Sequence, residues 1–191
     1  MCIRDRSDTV VFWTIEATIE NAKELLEVTY RFNWMSNLYN LPVRGCLIYD
    51  HFHFRTDKQR NAKGAIYSPN LMYGKGLLKA HEKTESLNWA GTVVDESFVN
   101  RIHREDNYHT FFGDYVKEYP VPYKGYYRRE TAMNIGKPIT ESEEALKNTI
   151  EMIKRNFEDD NKSITPSVEV KMNNTIKFMK SNFKTNEGNE D

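Results

Sequence analysis

A long amphipathic stretch set between two strand-like runs constrains this chain more than any other feature. From Glu16 to Asn37 and just beyond, Ala22, Leu25, Leu26, Phe32, Met35 and Tyr39 recur at the spacing of one helical face. Ahead of it, Val10-Val11-Phe12-Trp13 is β-branched and aromatic and reads as a buried strand. Behind it, Leu41-Pro42 stops the helix, because the residue before a proline is pushed out of the helical region. Val43 to Phe54 then reads as one long strand. Cys46, Ile48, Phe52 and Phe54 fall on one face, with Gly45, Leu47, Tyr49, His51 and His53 on the other.

The remaining segments continue this mixture. Arg55 to Gly64 is a polar, basic connection, followed by a short strand at Ala65-Ile66-Tyr67 and a turn at Ser68-Pro69-Asn70. A helix is expected from about Met72 or Gly76 to Ser86, a strand at Thr92-Val93-Val94, and a small helix Phe98 to His103 capped by Asp95 or Ser97. Two prolines demote Tyr115 to Lys124 to an edge strand. Thr140-Glu141-Ser142-Glu143 is a capping box opening a helix through about Phe157. Thr165-Pro166 starts a last helix with Val168, Met172, Ile176, Met179 and Phe183 on one stripe. Strands separated by long helices, with one strand pair among them, predict an α+β fold.

Composition limits the function classes. Hydrophobic residues make up 39% of the 191 and charged residues 29%, which suits a folded domain rather than a disordered one. A net charge of -1 gives no support to nucleic-acid binding, and no apolar run or signal peptide points to a membrane. Cys2 and Cys46 form no disulfide framework or metal spacing, so a reducing cytoplasmic setting is the default expectation. Met1 to Arg6 lacks periodicity, cap and apolar face. It reads as a non-native leader of the adapter-remnant kind, the alternative being a frayed terminus. On the first reading native sequence starts at Ser7 and the chain is an N-terminally truncated fragment. The expected division is then a leader at 1–6, a core at 7–110, a C-terminal strand-and-helix part at 111–184 and a disordered tail at 185–191.

Asp8 heads the first strand-like run. Enzymes acting on nucleoside triphosphates commonly hold Mg²⁺ with acidic residues at strand ends, and one carboxylate is seldom enough. Asp8 is therefore readable as one half of a metal pair or as a relic of one. His51 and His53 could begin a metal site on one strand face, with His81, His103 and His109 elsewhere, or be ordinary surface histidines. Tyr73-Gly74-Lys75-Gly76 lacks phosphate-loop spacing and suits a turn before a helix. Arg55, Lys58, Arg60 and Lys63 make a basic loop that suits either triphosphate or solvent. Glu82, Glu85 and Asp8 are acid and base candidates with no sign of convergence. Tyr126-Tyr127-Arg128-Arg129-Glu130 suits stacking on a base or partner, or an exposed edge.

Four segments, in order, carry a resemblance. Ser7-Asp8-Thr9-Val10-Val11 resembles the strand of class III nucleotidyl cyclases that bears their second metal aspartate. Leu41-Pro42-Val43-Arg44-Gly45-Cys46-Leu47-Ile48-Tyr49 resembles their following Arg- and Gly-containing strand. Tyr73-Gly74-Lys75-Gly76-Leu77-Leu78-Lys79-Ala80-His81-Glu82 is similar to their glycine-opened catalytic helix, and Asn88 to Val94 to the strand after it. The order is closer still to a bacterial group of cyclase-like proteins whose last helix ends in N-T-x-x-F, here Asn174-Thr175-Ile176-Lys177-Phe178.

This resemblance implies a ferredoxin-like, nucleotidyl-cyclase-like sheet with packed helices. It also implies a nucleoside triphosphate as ligand, Mg²⁺ or Mn²⁺ in the full-length protein with Asp8 as metal ligand, and a homodimer. Cyclisation needs donors, usually Asn and Arg, that stabilise the charge developing on the phosphates. Leu78 and Glu82 stand at those family positions, where one cannot donate and the other repels a triphosphate. The expectation is thus a divergent cyclase-like domain without catalytic residues of its own, binding nucleotide or metal. The alternative is a non-catalytic interaction or dimerisation module on the same scaffold.

Overall fold

The computed structural model describes residues 9–39, 41–56, 58–60, 62–64, 66–67, 70–105, 108–136, 143–158 and 164–182. The elements run α1 (Ile19–Tyr39), β1 (Gly45–Leu47), β2 (His53–Thr56), β3 (Gln59–Arg60), β4 (Ile66–Tyr67), β5 (Asn70–Tyr73) and α2 (Lys75–Ser86). Then follow β6 (Thr92–Val94), α3 (Glu96–His103), α4 (Tyr108–Phe112), a 3₁₀ turn (Gly113–Tyr115), β7 (Val116–Tyr123), β8 (Tyr126–Met133), α5 (Glu143–Glu158) and α6 (Pro166–Lys180). Among the described residues the fold is mixed α/β, with six α-helices and a mixed four-stranded sheet in the order β1-β6-β8-β7. β1 and β6 are parallel, and the other two pairings are antiparallel. No helix among the described residues is long and apolar enough to cross a membrane.

Strand alternation divides the core into two clusters. Val93 and Ala132 join Trp89, Val121, Ile153, Phe178 and Met179 on one face of the sheet. Val94 and Met133 join Leu26, Tyr30, Phe98, Ile102 and Phe112 on the other. Several short motifs fold as expected. β6 spans Thr92–Val94, α2 ends at Ser86, and Asp95 caps α3 by accepting from the Ser97 amide at 2.9 Å. β7 carries the two prolines and lies at the sheet edge. Pro166 opens α6, but Thr165 caps it through its carbonyl, which accepts from Val168 and Glu169, and not through its side chain. Thr140, Glu141 and Ser142 of the capping box, Phe183, residues 185–191 and residues 1–6, expected as a leader, lie outside the described residues.

Other expectations are corrected. Val10 to Trp13 form no strand: the segment is unpaired among the described residues, with Val10 58% and Trp13 40% exposed. It lies along α1 through Phe12 on Phe32, and reaches Phe52 and Phe54 through Trp13. The long strand from Val43 to Phe54 is two strands in different sheets. It breaks because Asp50 accepts from the His51 amide at 2.7 Å while the His51 carbonyl accepts from Gly76 at 3.0 Å, which bends the chain between them. On α1 the buried stripe is Leu26, Tyr30, Asn33, Ser36, Asn37 and Leu38, leaving Met35 and Tyr39 exposed.

The α1 stripe is partly polar because its asparagines tie elements together. Asn33 accepts from the Thr92 hydroxyl at 2.9 Å and donates to the Asn134 carbonyl at 3.3 Å. Asn37 accepts from the Val43 amide at 3.0 Å. Gly45 is required opposite, since a Cβ there would meet the Thr92 hydroxyl at 2.8 Å.

Candidate functional site

The glycine-opened helix α2 organises the most polar part of the molecule. Gly74 has φ +141°, and a Cβ there would lie 2.6 Å from the His51 carbonyl oxygen. A Cβ on Gly76 would meet that same oxygen at 3.0 Å. The two glycines thus let the start of α2 press on the backbone of the loop that follows β1. One consequence is that α2 sends Lys79 and Lys83, four residues apart on one face, toward the carboxyl ends of the parallel strands.

Lys79 reaches Asp50, in the loop after β1, at 2.5 Å. Its hydrogen bond, joined by the His51 amide, holds the Asp50 carboxyl below the usual carboxylate range. Lys83 lies deeper, between Asp95 just after β6 at 2.6 Å and Glu130 of β8 at 2.9 Å. Burial alone would pull the Lys83 amine down, but its bonds to Asp95 and Glu130 outweigh that and hold it above its ordinary value. Burial likewise favours a neutral Asp95, and the bonds from Lys83 and Ser97 reverse that preference. Glu130 also accepts from the Tyr123 hydroxyl and meets Arg128 at 3.4 Å. Beside them burial pushes the Cys46 thiol up to about 12, against the opposing pull of Lys83, which disfavours the thiolate.

The placement of the sequence-derived candidates is uneven. Asp8 lies outside the described residues. Leu78 is 58% exposed and Glu82 is exposed. Glu85 pairs with Arg44. His51 is exposed in the loop, while His53 stacks on Tyr73 with ring centroids 5.0 Å apart. His81, His103 and His109 are exposed on helices. Among the described residues no three His, Cys, Asp or Glu side chains converge as a metal site. The two acidic groups nearest the strand ends, Asp50 and Asp95, are each bonded to a lysine. The described residues alone therefore do not fit an Mg²⁺ or Mn²⁺ ion.

Arg55, Lys58, Arg60 and Lys63 are exposed, but Arg55 belongs to β2 and Arg60 to β3. Tyr126 to Glu130 open β8, a central strand that the polar sequence hid, with Tyr126 stacked on Tyr123. The Lys83 network was also missed, though Asp95 was found as a cap. The available signal was Lys79 and Lys83 at helical spacing ahead of an aspartate that ends a strand.

The N-T-x-x-F pattern proves to be a latch. Asn174 donates to the Asn88 carbonyl at 2.8 Å, Thr175 accepts from the Ala90 amide at 2.8 Å, and Phe178 packs edge-on against Trp89. It fixes α6 to the chain entering β6.

The β2–β5 ribbon carries exposed apolar side chains, although Trp13 packs on Phe54 with ring centroids 4.8 Å apart. Phe54 faces Met72 and Arg55 faces Leu71 across the ladder. Phe54, Leu71, Met72 and Tyr73 are 42%, 56%, 38% and 49% exposed. No family model, curated protein or solved structure matches this chain.

Proposed function

We propose that this chain is a non-catalytic interaction module on a nucleotidyl-cyclase-like scaffold, and that it pairs with a second copy through the β2–β5 ribbon. The observation that carries the reading is the ribbon itself. It is a two-stranded sheet with both outer edges unpaired among the described residues and apolar side chains exposed on both faces. Such ribbons are marginal alone, and contiguous exposed apolar surface commonly marks an interface. A two-fold pairing would use the same patch on both copies. The reading without a catalytic role is supported by the exposed Leu78 and Glu82 at the family donor positions and by Lys79 and Lys83 being paired with carboxylates. The test is the association state of the chain and of Phe54→Glu and Leu71→Glu, which alter one ribbon face each.

A second reading is that the domain binds a nucleoside triphosphate without turning it over. One observation favours it: Asp50 and Asp95 lie just past the carboxyl ends of parallel strands β1 and β6, where open sheets usually take ligands. Any metal in that reading rests on Asp8 together with groups beyond the described residues. Thermal shift with a triphosphate and Mg²⁺ or Mn²⁺ tests it, and an unchanged melting temperature removes it.

A further inference from the structure

We propose that the cleft between residues 11–14 and α1 binds a small apolar primary amine, free in solution, through its ammonium group. The cleft holds about 300 Å³, the lower end of the range of small-molecule pockets. Residues 11–14 cross α1 without strand pairing among the described residues, and ring contacts hold them there. Phe12 packs edge-on against Phe32, and Trp13 lies against Phe52 and Phe54 with ring centroids 5.6 and 4.8 Å away. Just beyond, the Asn21 amide nitrogen donates to the Glu16 carbonyl at 3.2 Å and Arg101 donates to that of Ala17 at 3.2 Å. Both walls are therefore fixed by contacts that need no ligand.

The lining selects the ligand. Phe12, Trp13, Leu25 and Val28 form an apolar wall, with Phe12, Trp13 and Val28 39%, 40% and 47% exposed. Thr14, Asn21 and Glu24 are the polar groups beside it. The Asn21 Oδ1 and the Thr14 hydroxyl have no hydrogen-bond partner among the described residues. Glu24 carries the one charge of the lining and pairs with no cation among the described residues. An ammonium has three N–H donors and no acceptor, which matches these three acceptors, and an apolar body suits the wall. Aromatic faces favour a cation as well. An anion would instead meet the Glu24 carboxylate.

The sequence of α1 leaves the place of the cation open. The positions three and four residues from Glu24 are Glu20, Asn21, Glu27 and Val28, none of them basic. Glu20 lies in the first turn, where the helix dipole favours it, but Glu24 lies past that benefit and repels Glu20 at i, i+4. Val28, apolar and exposed, stands where a lysine would complete a favourable pair with Glu24.

The experiment titrates phenethylammonium into the folded chain at neutral pH and follows the Trp13 indole N–H resonance by NMR. The neutral and anionic counterparts are 2-phenylethanol and 3-phenylpropanoate. Phenethylammonium should saturate with a millimolar or tighter dissociation constant. That constant should lie about fivefold or more below that of the alcohol, with the carboxylate weakest of the three. Glu24→Gln should bring the amine to the level of the alcohol and leave the alcohol unchanged. Val28→Lys supplies an ammonium of the chain's own and should lose the amine without lowering the urea midpoint. Nα-acetyl-lysine N-methylamide carries the same ammonium as a protein side chain and should bind more weakly for want of a ring. The proposal is overturned if the Trp13 resonance does not respond to phenethylammonium, or if the alcohol or the carboxylate binds as tightly. It is equally overturned if Glu24→Gln or Val28→Lys keeps the wild-type affinity for the amine. Tighter binding of the lysine derivative would overturn a free amine as the ligand.

Discussion

Replacing Lys83 with methionine would leave Asp95 without its lysine and Glu130 with Arg128 as its remaining cation. The side chains of Lys83, Asp95 and Glu130 are 15%, 21% and 8% exposed, so water screens them only in part. Breaking a fully buried ion pair costs roughly 3–5 kcal/mol, whereas an exposed pair is worth about 0–1 kcal/mol. This network lies between those limits and nearer the first, and methionine keeps most of the stem packing, so the expected loss is about 2–3 kcal/mol. At a urea dependence of about 2 kcal/mol per molar, the unfolding midpoint should fall by about 1–1.5 M with an unchanged slope. The sign with pH is fixed by the two shifts. Asp95 is held below its ordinary range, so its contribution is present above about pH 4 and lost as pH falls through the folded value. Lys83 is held above its range, so its contribution is present below about pH 10 and lost as pH rises through the folded value. The gap between wild type and Lys83→Met should therefore be widest between about pH 5 and 9 and narrow toward pH 3. A midpoint within about 0.2 M of wild type at neutral pH would refute the reasoning, because it would mean the network is solvated.

Three further outcomes are expected. Thr175→Val leaves the buried Ala90 amide without its acceptor and should cost about 1–3 kcal/mol in the same urea titration, with no loss if a water replaces the hydroxyl. Gly74→Ala forces a side chain into a φ of +141° and against the His51 carbonyl, and should cost about 1–3 kcal/mol; equal stability would show that α2 does not press on that loop. In a Cys2→Ser background, Cys46 with its thiol near 12 should resist a thiol reagent at pH 8 until urea unfolds the chain, and rapid labelling of the folded protein would contradict its burial.

What could be read in the sequence was what is local. Thr92 to Val94, Asp95 as a cap and Pro166 at the start of α6 depend on a few adjacent residues, and the structure has them where the residues say. Long-range choices were hidden. β8 begins Tyr-Tyr-Arg-Arg-Glu, which has no apolar alternation because that half of the strand extends past the core with Tyr126 and Tyr127 exposed. The run from Val43 to Phe54 alternates convincingly, and only the Asp50–His51 bend, held by a glycine distant in sequence, divides it. Val10 to Trp13 have the composition of a strand without a paired neighbour among the described residues, and strand propensity describes fit to a sheet more than any intrinsic preference. The α1 stripe was misplaced because Asn33 and Asn37 are buried for their hydrogen bonds, which a hydrophobic pattern does not register. The N-T-x-x-F pattern was visible as a pattern, but its role as the latch on Asn88 and Ala90 needed the fold.

The proposed pairing through the β2–β5 ribbon is tested most directly by sedimentation equilibrium of the chain over a wide concentration range, alongside Phe54→Glu and Leu71→Glu. The expected result is a reversible dimer whose dissociation constant rises at least tenfold in one or both variants, while the urea midpoint of Leu71→Glu stays at the wild-type value because that side chain is 56% exposed. Phe54 also packs on Trp13, so the midpoint of Phe54→Glu is measured beside its dissociation constant. A wild-type chain that remains monomeric throughout, or a dimer indifferent to both substitutions, would contradict it.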